Sequence, residues 1–355
     1  MRIAQVAPLV ESVPPKLYGG TERVVSYLTE ELVRRGHDVT LFASGDSITA
    51  ACLVPGSPEA LRFRGGCVDP WARHLAMIED VLTRREEFDI VHFHTDYAHF
   101  PLVRRDRLVH VTTLHGRLDV PDLCPLFRRF SDLPLISISD AQQTPMPFAN
   151  WLGTVYHGLP EQRFVFSNRP GKYLAFLGRI SPEKGVVPAI EIAKRTGIPL
   201  KIAAKVDRID REYFQEKVRP LLDHPLVEFI GEIGYAEKSD FLGNALCLLF
   251  PIDWPEPFGL VMIEAMACGT PVVAYPRGSV REIITDGRNG FLVSDTKQAT
   301  LAIERIAEIS RRDCRQSFED RFTVTRMVDD YLSHYHRLIP DVPESLSLVD
   351  GVPVG

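Results

Sequence analysis

Short apolar runs alternate with amphipathic helical stretches along the whole chain, and this alternation constrains the fold more than any other feature. A short apolar run bounded by turn residues predicts a buried strand, whereas apolar positions three and four apart predict a helix. The clearest helix is segment 21–35, where Val24, Leu28 and Leu32 share one face. Because the alternation recurs in both halves, the sequence predicts an α/β protein with two parallel, doubly wound, Rossmann-like sheets that face each other.

The individual elements follow from the same patterns. The predicted strands are 3–7, 39–43, 90–93, 108–114, 135–139 and 153–156 in the first half, then 173–178, 200–204, 227–230, 246–250, 272–275 and 291–293. The predicted helices of the second half are 183–195, 210–222, 235–244, 259–268, 279–284, 296–312 and 322–338. Segments 44–70 and 116–132 are predicted to be variable loops of the first domain.

A chain of 355 residues is long for one core, so two domains are expected. The boundary is predicted in a polar stretch that carries Pro160, Pro170 and Gly171. The predicted parts are an N-terminal Rossmann-like domain (1–158), a linker (159–172), a C-terminal Rossmann-like domain (173–320), a helix that packs back toward the N-terminal domain (321–338) and an irregular tail (339–355).

Composition narrows the class of protein. Hydrophobic residues make up 45% and charged residues 25%, as in soluble globular proteins, and the net charge of −6 argues against nucleic acid as a partner. Paired arginines such as Arg104-Arg105 predict solvated faces, with peripheral membrane contact as the alternative. Six cysteines without a Cys-x-x-Cys spacing favour a reducing compartment. Strand-like residues begin at Arg2 and no long apolar stretch follows, so a cytoplasmic location is expected.

The segment from Trp254 to Tyr275 places two glutamates in contrasting surroundings. Glu256 lies in a loop bracketed by prolines, and Glu264 follows eight positions later within the apolar run 260–268. A helix that is apolar all round is buried, and burying a carboxylate is costly unless it finds strong partners. Two interpretations stay open: a core helix whose Glu264 is tied to an Arg or to backbone, or a ligand cleft in which both carboxylates accept hydrogen bonds from hydroxyls.

Two further segments follow predicted strands in the first domain. Gly19 and Gly20 open the first helix, where the absence of side chains lets the backbone come close to a ligand. His115 ends an apolar strand, and in an open parallel sheet ligands bind outside the carboxyl ends of the strands. The alternatives are an ordinary turn for the glycines and a structural role for the histidine.

A third segment follows the first strand of the second domain. Ser181 is a suitable N-cap and Pro182 suits the first helical position, so Arg179 and Lys184 are predicted to flank a helix N-terminus. Two cations at that place could hold a diphosphate. The alternative is a pair of surface charges on a loop.

One constellation favours a different class of protein. His92, His94 and Asp96 have the His-x-His-x-Asp spacing that supplies ligands in binuclear metal hydrolases. His99 follows this motif, but His110, His115, His157 and His224 are isolated and no later Cys or His cluster completes a second metal shell. There is also no Asp-x-Asp to hold a metal-bound diphosphate, so no metal site and no cofactor are expected.

Together, these segments resemble the retaining GT-B glycosyltransferases of family 4. The most specific part is Glu256-x7-Glu264 within Pro-Glu-Pro-Phe-Gly-Leu-Val-Met-Ile-Glu-Ala-Met-Ala-Cys-Gly-Thr-Pro-Val-Val. Gly-Arg179-(x4)-Lys184-Gly and Thr-Leu-His115-Gly support the resemblance independently. It covers nearly the whole chain and implies the GT-B fold, in which two Rossmann-like domains enclose a cleft. The resemblance implies that 1–158 is the acceptor domain and that 173–320 is the nucleotide-sugar donor domain.

The resemblance also implies a role for each matching position. Arg179 and Lys184 would hold the diphosphate of a nucleotide sugar without a metal, Glu264 would bind the ribose, and Glu256 and His115 would contact the donor sugar. The catalytic positions are thus His115, Arg179, Lys184 and Glu256. The remaining positions would contact the donor through backbone: Phe258, Gly259 and Leu260 near the sugar and phosphates, Gly231, Glu232 and Ile233 at the base, and Gly19 and Gly20 at the diphosphate and acceptor.

The implied activity is metal-independent transfer of a hexosyl group from a nucleotide-diphosphate sugar to an acceptor hydroxyl, with retained anomeric configuration. The acceptor could be a glycan, a lipid or a small molecule. The alternatives are a sugar-nucleotide epimerase or a phosphorylase of the same fold, and a non-catalytic subunit that binds a nucleotide sugar.

Overall fold

A computed structural model describes residues 1–62 and 69–340, and within them the first half of the chain forms a seven-stranded parallel sheet. Its strands are β1 (Arg2–Val6), β2 (Asp38–Ser44), β3 (Cys52–Ser57), β4 (Ile90–Phe93), β5 (His110–Thr113), β6 (Leu135–Ser137) and β7 (Trp151–Thr154). They are ordered β3-β2-β1-β4-β5-β6-β7. The helices between them are α1 (Gly20–Arg34), α2 (Pro70–Thr83), α3 (Phe100–Asp106), α4 (Leu123–Arg129) and α5 (Asp140–Gln143).

The second half forms a six-stranded sheet, again with parallel pairing, in the order β10-β9-β8-β11-β12-β13. The strands are β8 (Leu174–Arg179), β9 (Leu200–Lys205), β10 (Val227–Gly231), β11 (Cys247–Phe250), β12 (Val272–Ala274) and β13 (Gly290–Leu292). The helices are α6 (Val186–Thr196), α7 (Arg211–Tyr213), α8 (Tyr235–Gly243), α9 (Leu260–Ala267), α10 (Val280–Ile283), α11 (Thr296–Glu304), α12 (Arg311–Arg321) and α13 (Val324–Leu338).

Helices cover both faces of each sheet, as expected of strands that are buried on both sides. In the first sheet, Leu28 of α1 and Tyr331 of α13 pack in one apolar cluster, and Ile78 of α2 packs in another. In the second sheet, Met262 of α9 and Ile190 of α6 belong to different clusters in the same way. The prediction of two doubly wound α/β sheets is therefore confirmed.

The chain passes between the sheets twice, and the two passages lie side by side. The amide of Leu159 donates to the carbonyl of Phe322 at 2.8 Å, and Val324 N–H donates back to Leu159 O at 2.9 Å. A Cβ on Gly158 would lie 2.2 Å from Thr323 O, so only glycine permits this approach. After the second passage, α13 leaves the second sheet and packs on α1 of the first, where Arg35 pairs with Asp329 at 2.5 Å.

The structure corrects several sequence predictions. Segment 44–70 is not simply a loop, because Cys52–Ser57 forms β3 at the edge of the first sheet, where Pro55 is tolerated. The predicted helix 296–312 is two helices, because Ile309 is extended and the Ser310 hydroxyl caps α12. Segment 116–132 contains α4, and α2 had no counterpart among the predictions. Residues 63–68, and the predicted tail from 341 onward, lie outside the described residues.

In the described part of the chain, no helix combines the length and the apolar content that crossing a bilayer requires.

Candidate active site

A cleft of about 500 Å³ lies between the two sheets, at the carboxyl ends of their central strands. The winding direction reverses between β1 and β4 in the first sheet and between β8 and β11 in the second. Such switch points are where open α/β sheets bind ligands. The predicted site residues that line the cleft are Gly19, Gly20 and His115 from the first domain, and Arg179, Lys184, Glu232, Ile233, Glu256, Phe258, Gly259, Leu260 and Glu264 from the second.

Gly231 is the predicted site residue that does not line this cleft. It is the last residue of the edge strand β10 and has φ 87°, a left-handed conformation that glycine adopts readily. The turn made by Gly231 directs the next two residues, Glu232 and Ile233, to the cleft wall. Its contribution is therefore to the path of the backbone.

Glu256 is buried in the loop that follows β11 and pairs with Lys184. The two side chains approach to 2.5 Å, and the indole N–H of Trp254 donates to the same carboxylate oxygen at 3.0 Å. The ammonium of Lys184 also lies 4.5 Å from the centre of the Trp254 ring, a cation–π distance. This arrangement fixes a lysine charge and a carboxylate at one point of the cleft wall.

Glu264, in the second turn of α9, is 2% exposed and makes two hydrogen bonds to Lys238 of α8. The distances from Lys238 Nζ to the two carboxylate oxygens are 2.7 and 3.0 Å. Both Glu264 and Lys238 line the cleft. The core interpretation of Glu264 expected an Arg or the backbone as partner. The observed partner is a lysine on another helix, and the pair borders a ligand-sized space.

Arg179, the last residue of β8, is surrounded by carboxylates. Its guanidinium lies 2.6 Å from Glu183, 3.5 Å from Asp210 and 3.9 Å from Asp207. These carboxylates offset the positive charge of the guanidinium. They also hold its side chain in place, so that an anion entering the cleft would compete with acids for a pre-positioned cation.

The expected helix N-terminus beside these cations begins later than predicted. Pro182–Lys184 form one turn of 3₁₀ helix, and α6 starts only at Val186. Gly185 separates them with φ 75°, and a Cβ there would lie 2.0 Å from Pro251 O. Ser181 precedes the 3₁₀ turn but makes no capping hydrogen bond with its side chain. Lys184 therefore lies before the α-helix, in the turn that leads to it.

The first sheet closes the cleft with its glycine loop. A Cβ on Gly19 would lie 2.7 Å from Pro15 Cβ, and one on Gly20 would lie 3.7 Å from Leu260 of α9. Gly19 is therefore packed closely against Pro15, whereas a side chain at Gly20 would make only an ordinary contact with α9. Across the cleft, the backbone N–H of Tyr18 donates to Glu232 at 3.0 Å, a direct hydrogen bond between the two domains.

His115 lies in the cleft wall, following β5. Its Nε2 is 2.8 Å from His94 Nδ1, and its ring stacks on His157 with centroids 5.3 Å apart. Burial lowers the pKa of His115 to about 3, so the ring is neutral near pH 7. His92 and His94, which the metal-hydrolase alternative required, form hydrogen bonds to Tyr335, Thr113, Gln5 and His115. Across residues 1–62 and 69–340, no three His, Cys, Asp or Glu side chains gather as a metal-binding group.

Two residues that line the cleft, Lys238 and Trp254, and one that is buried behind its wall, His94, had no role in the predicted donor site. Lys238 could not be paired with Glu264 from the sequence, because the two helices meet only after folding. Trp254 lies beside Glu256, but its stacking on Lys184 depends on the loop conformation. His94 carried a signal, its position two residues after His92, and that spacing was interpreted as a metal motif.

Two family models match the chain. "Glycosyltransferase Family 4" matches residues 18–177, and "Glycosyl transferases group 1" matches residues 160–321. The first match contains every strand of the first sheet except β1, the second contains the whole second sheet, and together they extend over most of the chain.

Relatives of known name are also glycosyltransferases. Phosphatidyl-myo-inositol mannosyltransferase of Mycobacterium leprae is 31% identical over 156 residues, which are 42% of this chain and 40% of that protein. This match thus spans less than half of the relative's length. The protein of the same name from Mycobacterium tuberculosis is 26% identical over 364 residues, covering 90% of each chain.

Among solved structures, HepE of Anabaena in complex with UDP and glucose has a TM-score of 0.73 and 19% identity. The match covers 95% of this chain and 99% of that one. At this identity the similarity concerns the fold. Sheet topology, cleft motifs and both family models agree, and the chain belongs to the GT-B glycosyltransferases of the family 4 type.

Proposed function

We propose that this protein transfers a hexosyl group from a nucleotide-diphosphate sugar to an acceptor hydroxyl, with retention of anomeric configuration and without a metal. The observation that carries the proposal is the pairing of fixed cations and carboxylates along one wall of the cleft. Arg179 and Lys184 supply positive charge, and Glu256 and Glu264 supply hydrogen-bond acceptors within the same space. A nucleotide sugar carries both complements, an anionic diphosphate flanked by hydroxyl groups.

The donor would lie along the second domain. Arg179 and Lys184 offset the charge that grows on the departing nucleotide diphosphate, so the site needs no metal for this purpose. The amides of Gly259 and Leu260, at the start of the eight-residue helix α9, add the positive end of the helix dipole. Glu264 accepts hydrogen bonds from the ribose, and Glu256 from the donor sugar.

The first domain would complete the site from the opposite wall. Gly19 and Gly20 bring backbone close to the diphosphate, and His115 contacts the sugar near the reacting carbon. The Tyr18–Glu232 hydrogen bond supports a cleft that closes around its ligand, because it already joins the two walls. The acceptor hydroxyl attacks from the face that the diphosphate leaves, and the departing phosphate oxygen takes its proton. No side chain acts as nucleophile.

The relatives support a hexose donor. The mycobacterial proteins are named mannosyltransferases, and HepE was crystallised with UDP-glucose. Mannosyl and glucosyl donors are therefore the first candidates to test with this chain, with UDP, GDP and ADP compared as carriers.

A thermal-shift screen of UDP-, GDP- and ADP-hexoses tests whether the protein binds a nucleotide sugar, which is the first step of the proposed reaction. We expect one nucleotide series to raise the apparent Tm, because a ligand at a hundred times its Kd stabilises the folded state by about 2.7 kcal/mol. The shift should not depend on added divalent metal. A shift that appears only with Mg²⁺ or Mn²⁺ would contradict the metal-independent assignment, and the absence of a shift in every series would contradict nucleotide-sugar binding.

Glu264→Gln should weaken donor binding about ten-fold or more, because a hydrogen bond to a charged group contributes about 1.5–3 kcal/mol. Glutamine keeps the shape of the side chain but removes the charge that Lys238 and the ribose would share. Isothermal titration of the donor measures the change. Glu304→Gln, on the exposed face of α11, is the matched control. Unchanged donor affinity in Glu264→Gln would contradict the assignment of Glu264 as the residue that binds the ribose.

A further inference from the structure

A continuous series of side-chain hydrogen bonds joins the last helix to the cleft wall through the core of the first sheet. Tyr335 of α13 contacts Gln5 of β1, whose amide nitrogen lies 3.1 Å from the phenol oxygen. The amide oxygen of Gln5 lies 2.9 Å from His94 Nε2. His94 Nδ1 lies 2.8 Å from His115 Nε2. Gln5, His94 and Tyr335 are buried, so water does not compete for these bonds.

The same phenol extends the series in the other direction. Tyr335 Oη lies 2.6 Å from His92 Nδ1, and His92 Nε2 lies 2.8 Å from Thr113 Oγ1. The Thr113 hydroxyl donates in turn to Tyr331 Oη at 3.1 Å. Tyr331 and Tyr335 are one turn apart on α13, so this helix holds both the far end and the middle of the series.

The histidines of the series are neutral. Burial lowers the pKa of His92 and of His94 well below the ordinary value, and it lowers the pKa of His115 to about 3. The rings of His92 and His94 are 4.0 Å apart between centroids, so two charges would also repel each other. A neutral imidazole has one N–H donor and one lone-pair acceptor. In each ring, therefore, if one nitrogen accepts a hydrogen bond, the other nitrogen carries the hydrogen and donates.

The side-chain amide of Gln5 sets that direction. Its oxygen accepts from His94 Nε2–H, which leaves His94 Nδ1 with a lone pair. His115 must then donate through Nε2–H, and the lone pair of His115 lies on Nδ1. The amide nitrogen of Gln5 donates to Tyr335, whose own hydroxyl hydrogen is directed to His92 Nδ1. Every contact in the series has one donor and one acceptor.

Reversing the amide of Gln5 would reverse the whole series and place the proton on His115 Nδ1. That atom is buried and has no hydrogen-bond partner among the described residues. An orphaned buried N–H is rarer in folded proteins than an acceptor with an unused lone pair. The direction with the lone pair on Nδ1 is therefore favoured.

We propose that Tyr335, Gln5 and His94 are positioning residues that hold His115 in its Nε2–H tautomer, so that Nδ1 can accept a hydrogen bond from a hydroxyl of the bound sugar. The statement that this hydroxyl belongs to a sugar rests on the proposed function. The tautomer of His115 is inferred from hydrogen bonds within the protein and does not depend on that function. The inference gives the His-x-His pair a role, and it connects the end of α13 to the cleft.

Nuclear magnetic resonance of the full chain with ¹⁵N-labelled histidine measures the tautomer directly. The signals of His115, one of eleven histidines, are identified by their loss in His115→Gln. We expect at pH 7 a protonated Nε2 and an unprotonated Nδ1 in the ligand-free protein. A protonated Nδ1 in the neutral ring, or a doubly protonated ring, would overturn the proposal. Because no donor is present, this result is independent of the transferase assignment.

Tyr335→Phe tests whether the last helix sets the tautomer. The variant keeps the aromatic ring but leaves the amide nitrogen of Gln5 without its acceptor, so the amide is expected to turn. The Nδ1–H tautomer of His115 should then appear as a new population. Tyr173→Phe, which removes a hydroxyl bonded to Phe241 O in the second domain, should leave the His115 signals unchanged. Identical His115 signals in Tyr335→Phe and the wild type would overturn the role of Tyr335.

Discussion

Lys184→Ala is expected to lower kcat/KM for donor transfer about 100- to 1,000-fold. Removing one preorganised group that stabilises transition-state charge costs about 3–4 kcal/mol in other enzymes. In this cleft the substitution has two unfavourable effects on the bound diphosphate. The diphosphate loses its cation, and Glu256 keeps its carboxylate beside the diphosphate with only the Trp254 indole as partner. Steady-state transfer with the best donor of the thermal-shift screen measures the effect.

Lys194→Ala provides the control for this experiment. Lys194 is an exposed lysine in the last turn of α6, the helix that follows Lys184, and it does not line the cleft. Its removal should leave kcat/KM within about two-fold. Thermal unfolding of both variants separates misfolding from loss of chemistry. Wild-type transfer by Lys184→Ala would exclude the lysine from the reaction.

Arg311→Met is expected to destabilise the second domain by about 3–5 kcal/mol, the range in which a buried network is broken. Arg311 of α12 is 8% exposed and donates to four oxygens. These are Ser167 O at 2.6 Å, Thr270 Oγ1 at 2.7 Å, Gly243 O at 2.8 Å and Ala245 O at 2.9 Å. Methionine fills much of the space but leaves these acceptors unsatisfied.

The measurement is thermal unfolding, where a loss of this size should lower the apparent Tm by about 10 °C. Arg312→Met is the matched control, since Arg312 is the exposed neighbour on the same helix. We expect it to change stability by less than about 0.5 kcal/mol. Equal Tm values for the two variants would contradict the role of Arg311 as the residue that ties the linker to α8 and α12.

Much of the site could be predicted because parallel sheets bring their carboxyl ends to one edge. Arg179 ends β8 and Glu256 follows β11, the two strands at the switch point, so their proximity follows from topology. His115 and the glycine loop hold the equivalent places in the first sheet. The family resemblance also implied a contact between Gly231 and the base of the donor. The left-handed conformation of Gly231 turns the chain so that the residues after it line the wall instead.

Several features could not be predicted because their partners are far apart in the chain. Lys238 and Glu264 lie on different helices, and no periodicity links them. Gln5 lies on β1 and His94 directly follows the neighbouring strand β4, and the register of these strands appears only in the sheet, where Gln5 pairs with His92. The strand β3 was missed for another reason. Pro55 and Gly56 argue against a strand, and only its place at the edge of the sheet makes them acceptable.

The sequence by itself determined the architecture, the family and the position of the cleft, because strand–helix alternation and short motifs at strand ends are local patterns. The tertiary structure decided what those residues do to one another. It paired Lys184 with Glu256 and Lys238 with Glu264, and it began α6 after a 3₁₀ turn. It also showed that His92 and His94, which had suggested a metal motif, belong to a hydrogen-bond series that runs from α13 to His115. These outcomes depend on distances between groups far apart in the chain, which burial and packing set only when the two sheets and the last helix come together.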